Sequence, residues 1–443
     1  MKGIILAAGL GSRFETRDEH KCLAKLGGLR IVERVILSFH EYSINDIIIV
    51  IGHHGSALKH YLGKGEKYGV KIQYIENNVW KKGNGTSLYA IKMALGNETH
   101  FLLSMADHWY EPKLIGEVLN AYSGTNLVCV DSTLKNSKEL VGVTKVYIED
   151  SYVKTIGKDL KRYNAVDCGV FVLSRNVFST LEESFRLGDY SLTGGIKKLA
   201  AHKKLAAHDI GNRLWQGINT NGDLKYAERK LFSTLKGHRD GLIAKHINRR
   251  LSIPITKIIS KYDISPNVIT IISFLIAVGG GLSFFFGPLF ILLGGVLVQL
   301  SAVIDGVDGE VSRLKFKSSK YGVYLDSILD RYGDAAIIIG VTYYCYRSFP
   351  ETWFILVALL VLLGTNLSMM SMDVFFRSFG SKYVTTTLGT KAQFLLAGRD
   401  GRLFLIFIGA ITNQLLIVMI ILAVTTNLLM LYRFYSVRTH KNF

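Results

Sequence analysis

The sequence predicts two domains of different class: an α/β domain with a mostly parallel sheet, then an all-α polytopic membrane domain of six transmembrane helices. Three observations carry this. Apolar residues make up 49 % of the 443 residues but are unevenly spread, and long apolar runs dominate only the last part of the chain. Short apolar runs alternate with helical patterns in the first half, as in sheets covered by helices on both faces. An acidic stretch, Asp305 to Asp330, lies between the apolar runs Leu289–Ile304 and Ala335–Tyr344. Ionisable residues at membrane depth are costly and usually functional.

Lys and Arg exceed Asp and Glu by 53 to 35, a net charge of +18. Beside apolar spans such an excess belongs to cytoplasmic loops, so it points to topology and anionic substrates and away from nucleic acid. Cys22, Cys129, Cys168 and Cys345 form no CxxC pair, which argues against a disulfide framework and for reduced thiols facing the cytoplasm. The apolar run after Met1 is too short for a signal peptide.

The first element is a buried strand at residues 3–8, running into the glycine-rich turn Gly9-Leu10-Gly11-Ser12-Arg13. Glycines let backbone N–H groups approach phosphate oxygens, and the following helix N-terminus adds positive potential. Arg13 and Lys21 supply mobile positive charge for a triphosphate. Further strands are expected at Asp46–Gly52, Lys71–Ile75, Thr99–Met105, Leu127–Asp131, Val141–Tyr147 and Asp167–Leu173, with helices at Ile31–Tyr42 and Ser87–Leu95. The alternation gives a Rossmann-like sheet.

Leu6-Ala-Ala-Gly-Leu-Gly-Ser-Arg13 with Lys21 resembles the signature of the sugar-phosphate nucleotidyltransferases, over roughly residues 1–230. His20 stands where that family usually has Pro. The resemblance implies nucleotide binding by Ala8, Gly9 and Gly11, and nucleobase reading by Asn84, Gly85, Thr86 and Ser87. It implies that Asp107, at the end of an apolar strand, and Asn219, in Trp215-Gln-Gly-Ile-Asn219-Thr220, hold magnesium. The family commonly has Asp at the second position. In such a site a phosphomonoester attacks the α-phosphate of a nucleoside triphosphate and pyrophosphate leaves, with Lys21 and Arg13 stabilising the developing charge. Lys158 is the candidate for the incoming phosphate, with a solvated surface lysine as the alternative.

The polar break Lys236–Gly241 is the best boundary, giving domains at 1–230, 231–262 and 263–443. In the middle segment Leu242, Ile243, Ile247, Leu251, Ile255, Ile258 and Ile259 recur at helical spacing, with Lys245, Arg249, Arg250, Lys257 and Lys261 on much of the remaining surface. This is a basic amphipathic helix expected at the membrane interface. Spans follow at roughly 265–286, 289–310, 321–345, 352–373, 400–413 and 415–434. Arg313, Lys315, Lys317 and Lys320 lie on one side, with Arg377, Lys382, Lys391, Arg399 and Arg402, and mark it as cytoplasmic. Both termini and both active sites then face the cytoplasm.

Asp305 and Asp308 are three residues apart, and Asp326 and Asp330 four, so each pair shares a helix face. Hard cations favour such carboxylates. The run D-G-V-D-G-E-V-S-R, then Gly322, Asp326 and Asp330, resembles the signature of the CDP-alcohol phosphotransferases, with Ser312 for the usual Ala. Pro266-Asn267-Val-Ile-Thr270 resembles another segment of that family. The resemblance implies Asp305, Asp308 and Asp326 as metal ligands, and Asp330 as the base that deprotonates the acceptor hydroxyl while also touching metal. It implies that Gly309 leaves room for cytidine and Arg313 contacts phosphate. Arg399 and Arg402 either clamp an acceptor phosphate or anchor the span.

As a whole the chain resembles the fused inositol-1-phosphate cytidylyltransferase / di-myo-inositol-phosphate phosphate synthase family. This implies CTP, inositol 1-phosphate and CDP-inositol as ligands, Mg2+ (Mn2+ as the alternative) in both sites, a lipid bilayer, a homodimer through the membrane domain, and a place in di-myo-inositol phosphate solute synthesis. Other readings are a phospholipid synthase with a degenerate first domain, a fusion acting on another polyol or amino alcohol, and a nucleotide sensor tethered to a transporter-like bundle. Intact Arg13, Lys21 and Asp107 oppose the first, and four acids at metal spacing oppose the last.

Overall fold

The computed structural model describes residues 1–9, 14, 20–133, 142–236, 241–379 and 398–439. The chain divides into two compact units, Met1–Leu231 and Phe232–Phe443.

The strands are β1 (Lys2–Ala7), β2 (Lys25–Leu26), β3 (Leu29–Arg30), β4 (Asp46–Ile51), β5 (Lys71–Glu76), β6 (His100–Met105), β7 (His108–Tyr110), β8 (Asn126–Asp131), β9 (Lys145–Glu149), β10 (Tyr152–Gly157), β11 (Ala165–Ser174), β12 (Leu205–Asp209) and β13 (Trp215–Gly217). The helices of this unit are α1 (Ile31–Glu41), α2 (Gly55–Leu62), α3 (Asn84–Ala90), α4 (Lys113–Ala121), α5 (Asn176–Arg186), α6 (Leu192–Ala201) and α7 (Asn221–Ser233). The main sheet has the order β5-β4-β1-β6-β11-β8-β12-β10-β9. Along β1, Ile4 and Ile5 enter opposite cores, one holding Phe101 and Leu103, the other Val35 and Phe39. A strand buried on both faces reads as a continuous apolar run, which is why β1 is visible in the sequence.

The sheet is mixed rather than mostly parallel. The run β5-β4-β1-β6 and the β8–β12 pair are parallel. β11 is antiparallel to β6 and β8, and β10 to β12 and β9. The β9–β10 pairing has a local cause: the two strands are joined by Asp150-Ser151, both at positive φ (53° and 64°). So short a link closes a hairpin and cannot carry a parallel crossover. The helix expected at Ser87–Leu95 sits earlier, at α3, and ends where the Ile91 N–H turns to the Leu88 and Tyr89 carbonyls. Position 141, the expected start of a strand, lies outside the described residues; the strand there is β9.

In the second unit a single π-turn (Ala244–Asn248) leads into α8 (Arg249–Ile259), followed by α9 (Pro266–Ser283), α10 (Pro288–Leu314), α11 (Lys320–Ser348), α12 (Trp353–Phe379), α13 (Arg399–Ile411) and α14 (Leu415–Thr439). Pro266 and Pro288 open α9 and α10, where the missing N–H costs nothing. Among the described residues, α9, α10, α12 and Leu415–Arg438 of α14 are long and apolar enough to cross a membrane. α11 carries Asp326, Asp330, Arg331 and Asp334 in its first half, and α13 has only 13 residues. A core of Ala277, Val298, Ile337, Val361, Leu403 and Leu422 joins the helices, while Leu289, Leu356 and Leu431 stay exposed. Such an apolar exterior suits lipid. At Gly281 and Gly340 the backbones of α9 and α11 meet with no room for a Cβ.

α8 is amphipathic, and the face it buries is mixed, with Ile255 and Ile259 packed toward Ile269, Val307 and Val311. Asn248, Ser252 and Thr256 are buried, whereas Leu251 and Ile258 are 52 % and 60 % exposed. Arg249 also turns inward, toward Glu310 of α10.

Candidate active sites

The first site forms where β1 and β6 end, the usual position for ligands on an α/β sheet. Asp107 follows β6, and β7 pairs with β13 antiparallel, setting His108 opposite Gly217. The Ile218 N–H donates to the Asp107 carbonyl (2.9 Å), which brings Asn219 beside Asp107. Lys21 Nζ then donates to both, at 2.6 Å to Asp107 Oδ2 and 3.0 Å to Asn219 Oδ1. Asp223 steadies the turn by accepting from the N–H groups of Asn219 and Thr220. His20 steadies Lys21: its Nδ1 accepts from the Cys22 N–H, which leaves Nε2 to donate to the Ala7 carbonyl (2.9 Å). Burial lowers the His20 pKa, against the pull of that carbonyl, and so favours the neutral ring this tautomer requires. The residue that departs from the family's Pro is thus a device for placing Lys21.

On its other side Asp107 Oδ1 lies 2.8 Å from His108 Nδ1, and the His108 ring stacks on Trp215 with centroids 6.1 Å apart. Burial alone would raise the Asp107 carboxyl; the His108 hydrogen bond and the Lys21 charge outweigh it and hold the group well below the usual range. A cavity of about 1210 Å³ opens here, lined by Asn84, Asp107, His108, Lys158, Asp167 and Asn219 among others. The structure therefore brings Lys21, Asp107 and Asn219 together and sets Lys158 on the same cavity. The Thr86 and Ser87 side chains are buried and both accept from Asn77 Nδ2 at 2.9 Å, and Gly85 packs on the Tyr190–Ser191 backbone. Ala8 is buried at the end of β1 and Gly9 is exposed. Gly11 and Arg13 lie outside the described residues, as do Lys382 and Lys391.

The second site lies where the C-terminal part of α10 faces the start of α11. Ligand oxygens of Asp305, Asp308 and Asp326 lie within 4.8 Å of one another. Thr270 Oγ1, from the Pro-Asn-x-x-Thr segment on α9, donates to Asp308 Oδ2. Asp330 stands outside that trio and pairs with Arg399 Nη2 at 2.9 Å. Arg399 also reaches Asp305 Oδ2 (2.9 Å) and Asp334 Oδ1 (3.2 Å), and Arg402 donates to Asp334 Oδ2 at 2.7 Å. A Cβ on Gly309 would stand 3.1 Å from the Arg313 guanidinium. The Ser312 hydroxyl returns to the Gly309 carbonyl of its own helix, so this departure from Ala leaves the acids undisturbed.

The fit to a divalent cation can be tested on the donors. All are carboxylate oxygens, and Asp305 Oδ1 is buried without a hydrogen-bond partner. An orphaned buried oxygen in an all-oxygen cluster fits a hard cation.

Residues 3–192 match the family model described as MobA-like NTP transferase domain, and residues 263–437 that described as CDP-alcohol phosphatidyltransferase. A bifunctional IPC transferase and DIPP synthase of Thermococcus kodakarensis is 32 % identical over 85 % of this chain and 83 % of its own length. The protein so named from Archaeoglobus fulgidus is 33 % identical over 92 % and 78 %, and that from Aquifex aeolicus 29 % over 98 % and 97 %. The chain belongs to this family of bifunctional IPC transferases and DIPP synthases. It is a transferase with a nucleotidyltransferase domain and a CDP-alcohol phosphotransferase domain.

Several site residues of this family member are not legible in the linear sequence. Asp334 has a signal, since it continues the four-residue spacing of Asp326 and Asp330 along α11. His108 and Asp167 have none, because the β7–β13 ribbon and the turn in β11 that place them are tertiary features. Glu310 is wholly buried and accepts from Arg249, Ser252 and Thr256, three residues distant in sequence.

Proposed function

We propose that the first domain (1–230) makes CDP-inositol and pyrophosphate from CTP and L-myo-inositol 1-phosphate. The membrane domain (263–443) then transfers phosphoinositol from CDP-inositol to a second inositol 1-phosphate and releases CMP. The observation that carries the proposal is the presence, in one chain, of a Lys21–Asp107–Asn219 cluster on a cavity and of three converging carboxylates between α10 and α11. One site makes the activated alcohol that the other consumes.

In the first reaction Lys21 and Arg13 bind the triphosphate and balance charge as pyrophosphate leaves, Asn84 to Ser87 border the nucleobase, and Lys158 receives the incoming phosphate. In the second, Asp330 takes the proton of the acceptor hydroxyl at Oδ2, since Oδ1 is held by Arg399. Arg313 beside Gly309 binds the CDP diphosphate, and Arg399 and Arg402, braced by Asp334, bind the acceptor phosphate. Magnesium (or manganese) held by Asp107 and Asn219, and by Asp305, Asp308 and Asp326, supplies Lewis-acid polarisation of the phosphates.

α9 to α14 act as six spans, preceded by the interfacial segment 231–262, in a homodimer joined through the membrane domain. The acidic site and both termini face the cytoplasm in this reading, which the basic residues Arg313, Lys315, Lys317, Lys320, Arg377, Arg399 and Arg402 support. Incubating the purified chain with CTP, magnesium and inositol 1-phosphate and following products by phosphorus NMR tests the reading. Pyrophosphate, CMP and a new phosphodiester are expected; absence of both CDP-inositol and CMP refutes it.

A further inference from the structure

The cavity of the first unit holds an acid for which the chemistry above has no use. Asp167 lies on β11 where its register against β8 shifts, between Asp167 and Phe171. Such a bulge re-aims a side chain. Gly169 forms the turn at φ +77°, and a Cβ there would come within 2.9 Å of the His108 ring. Its N–H donates to Asp167 Oδ1 at 2.7 Å. Among the described residues nothing donates to Oδ2, yet Asp167 lines the cavity with Asp107 and Lys158. Burial pushes this carboxyl up to about 6, opposed by the Gly169 N–H and the His108 charge.

Asp167 is only partly buried and lines the cavity, where a free carboxylate repels a phosphate substrate. That cost falls if the substrate brings its own donors. Ring hydroxyls of a polyol are such donors, and a phosphomonoester without them would cover the carboxylate and leave it unpaired. The geometry points to Asp167 as a specificity-determining residue of the first reaction: its Oδ2 accepts hydroxyls of the incoming polyol phosphate, whose phosphate lies toward Lys158 and Asp107. This rests on the reading of the first unit as a polyol-phosphate cytidylyltransferase.

The test uses the full chain in detergent, CTP, and two phosphomonoesters of the same ring size, inositol 1-phosphate and cyclohexyl phosphate. Pyrophosphate release is measured for the wild type and for Asp167→Asn. Sites built to bond a hydroxyl reject analogues lacking it by up to about 10⁴-fold, so the wild type should prefer inositol 1-phosphate by about 10²–10⁴ in kcat/KM. In Asp167→Asn that ratio should fall about 10- to 100-fold through the KM for inositol 1-phosphate, with the KM for CTP unmoved. An unchanged ratio, or a shift in the CTP KM instead, overturns the assignment. Monodeoxy inositol 1-phosphates probe the same contact on the wild type, without any variant: if no single ring hydroxyl is worth more than about threefold, Asp167 reads none. Failure of the functional reading looks different, since the wild type would then release no pyrophosphate with inositol 1-phosphate at all.

Discussion

Glu310→Leu should loosen the membrane unit. The carboxylate is fully buried. It accepts from Arg249 Nη1 and Ser252 Oγ at 2.6 Å each and from Thr256 Oγ1 at 2.5 Å. Arg249 also holds the Gly306 carbonyl, one residue past Asp305. Breaking a buried ion pair by removing one partner costs about 3–5 kcal/mol. The two hydroxyl bonds belong to the same network, so their cost is not simply added. For a unit of this size each kcal/mol is worth about 2–4 °C, which gives a fall in Tm of about 6–20 °C. Glu310→Gln keeps one acceptor oxygen, loses the charge and turns the other position into a donor that the Thr256 or Ser252 hydroxyl must rotate to accept, costing about 1–2 kcal/mol, or about 2–8 °C. Thermal unfolding in detergent reads both. The double change Glu310→Leu with Arg249→Met replaces the pair by apolar groups and should recover much of the loss, because a paired buried charge is nearly neutral against an apolar substitute. If Glu310→Leu melts within about 2 °C of the wild type, less than 1 kcal/mol, or the double variant is worse than the sum of the singles, the clasp does not hold α8 to α10.

Two further outcomes separate the active sites. Asp107→Ala should abolish CDP-inositol formation while supplied CDP-inositol is still consumed at the wild-type rate; loss of both activities in a folded variant would exclude independent sites. Asp330→Asn should slow the second reaction about 10²–10⁴-fold with CDP-alcohol binding nearly normal, whereas Asp305→Asn should damage binding first, as titration and turnover on both variants would show.

What the sequence makes legible is what is contiguous. β1 and its glycine turn, and the five acids on α10 and α11 once Asp334 is added, each lie in one short run whose spacing follows from strand or helix geometry. The first site is different. Lys21 and Asn219 are 198 residues apart and meet only because β7 pairs with β13. Spacing holds no trace of that, so Lys21, Asp107 and Asn219 are reached through family resemblance. The mixed sheet escapes for a related reason: β11 runs antiparallel between β6 and β8 by tertiary placement, and Asp150 and Ser151 at positive φ are a weak hairpin signal beside Asn-Gly or Asp-Gly.

α8 shows the limit of periodicity itself. A helical repeat gives the angular position of an apolar stripe, but not which stripe meets the rest of the protein. In water the apolar side would turn inward. Here the neighbour is α10, and the face of α8 that meets it carries Ile255 and Ile259 beside Ser252 and Thr256, which with Arg249 pair the buried Glu310. An unpaired carboxylate in that interior costs about 3–5 kcal/mol, comparable to the roughly 3–6 kcal/mol that Leu251 and Ile258 together would gain by burial from water. Their exposure forfeits little if the outer medium is lipid, because an apolar side chain has nothing to escape there. The exposed Leu251 and Ile258 are thus the part of α8 that suits an apolar medium, while the Glu310 clasp ties the helix to α10, which carries Asp305 and Asp308.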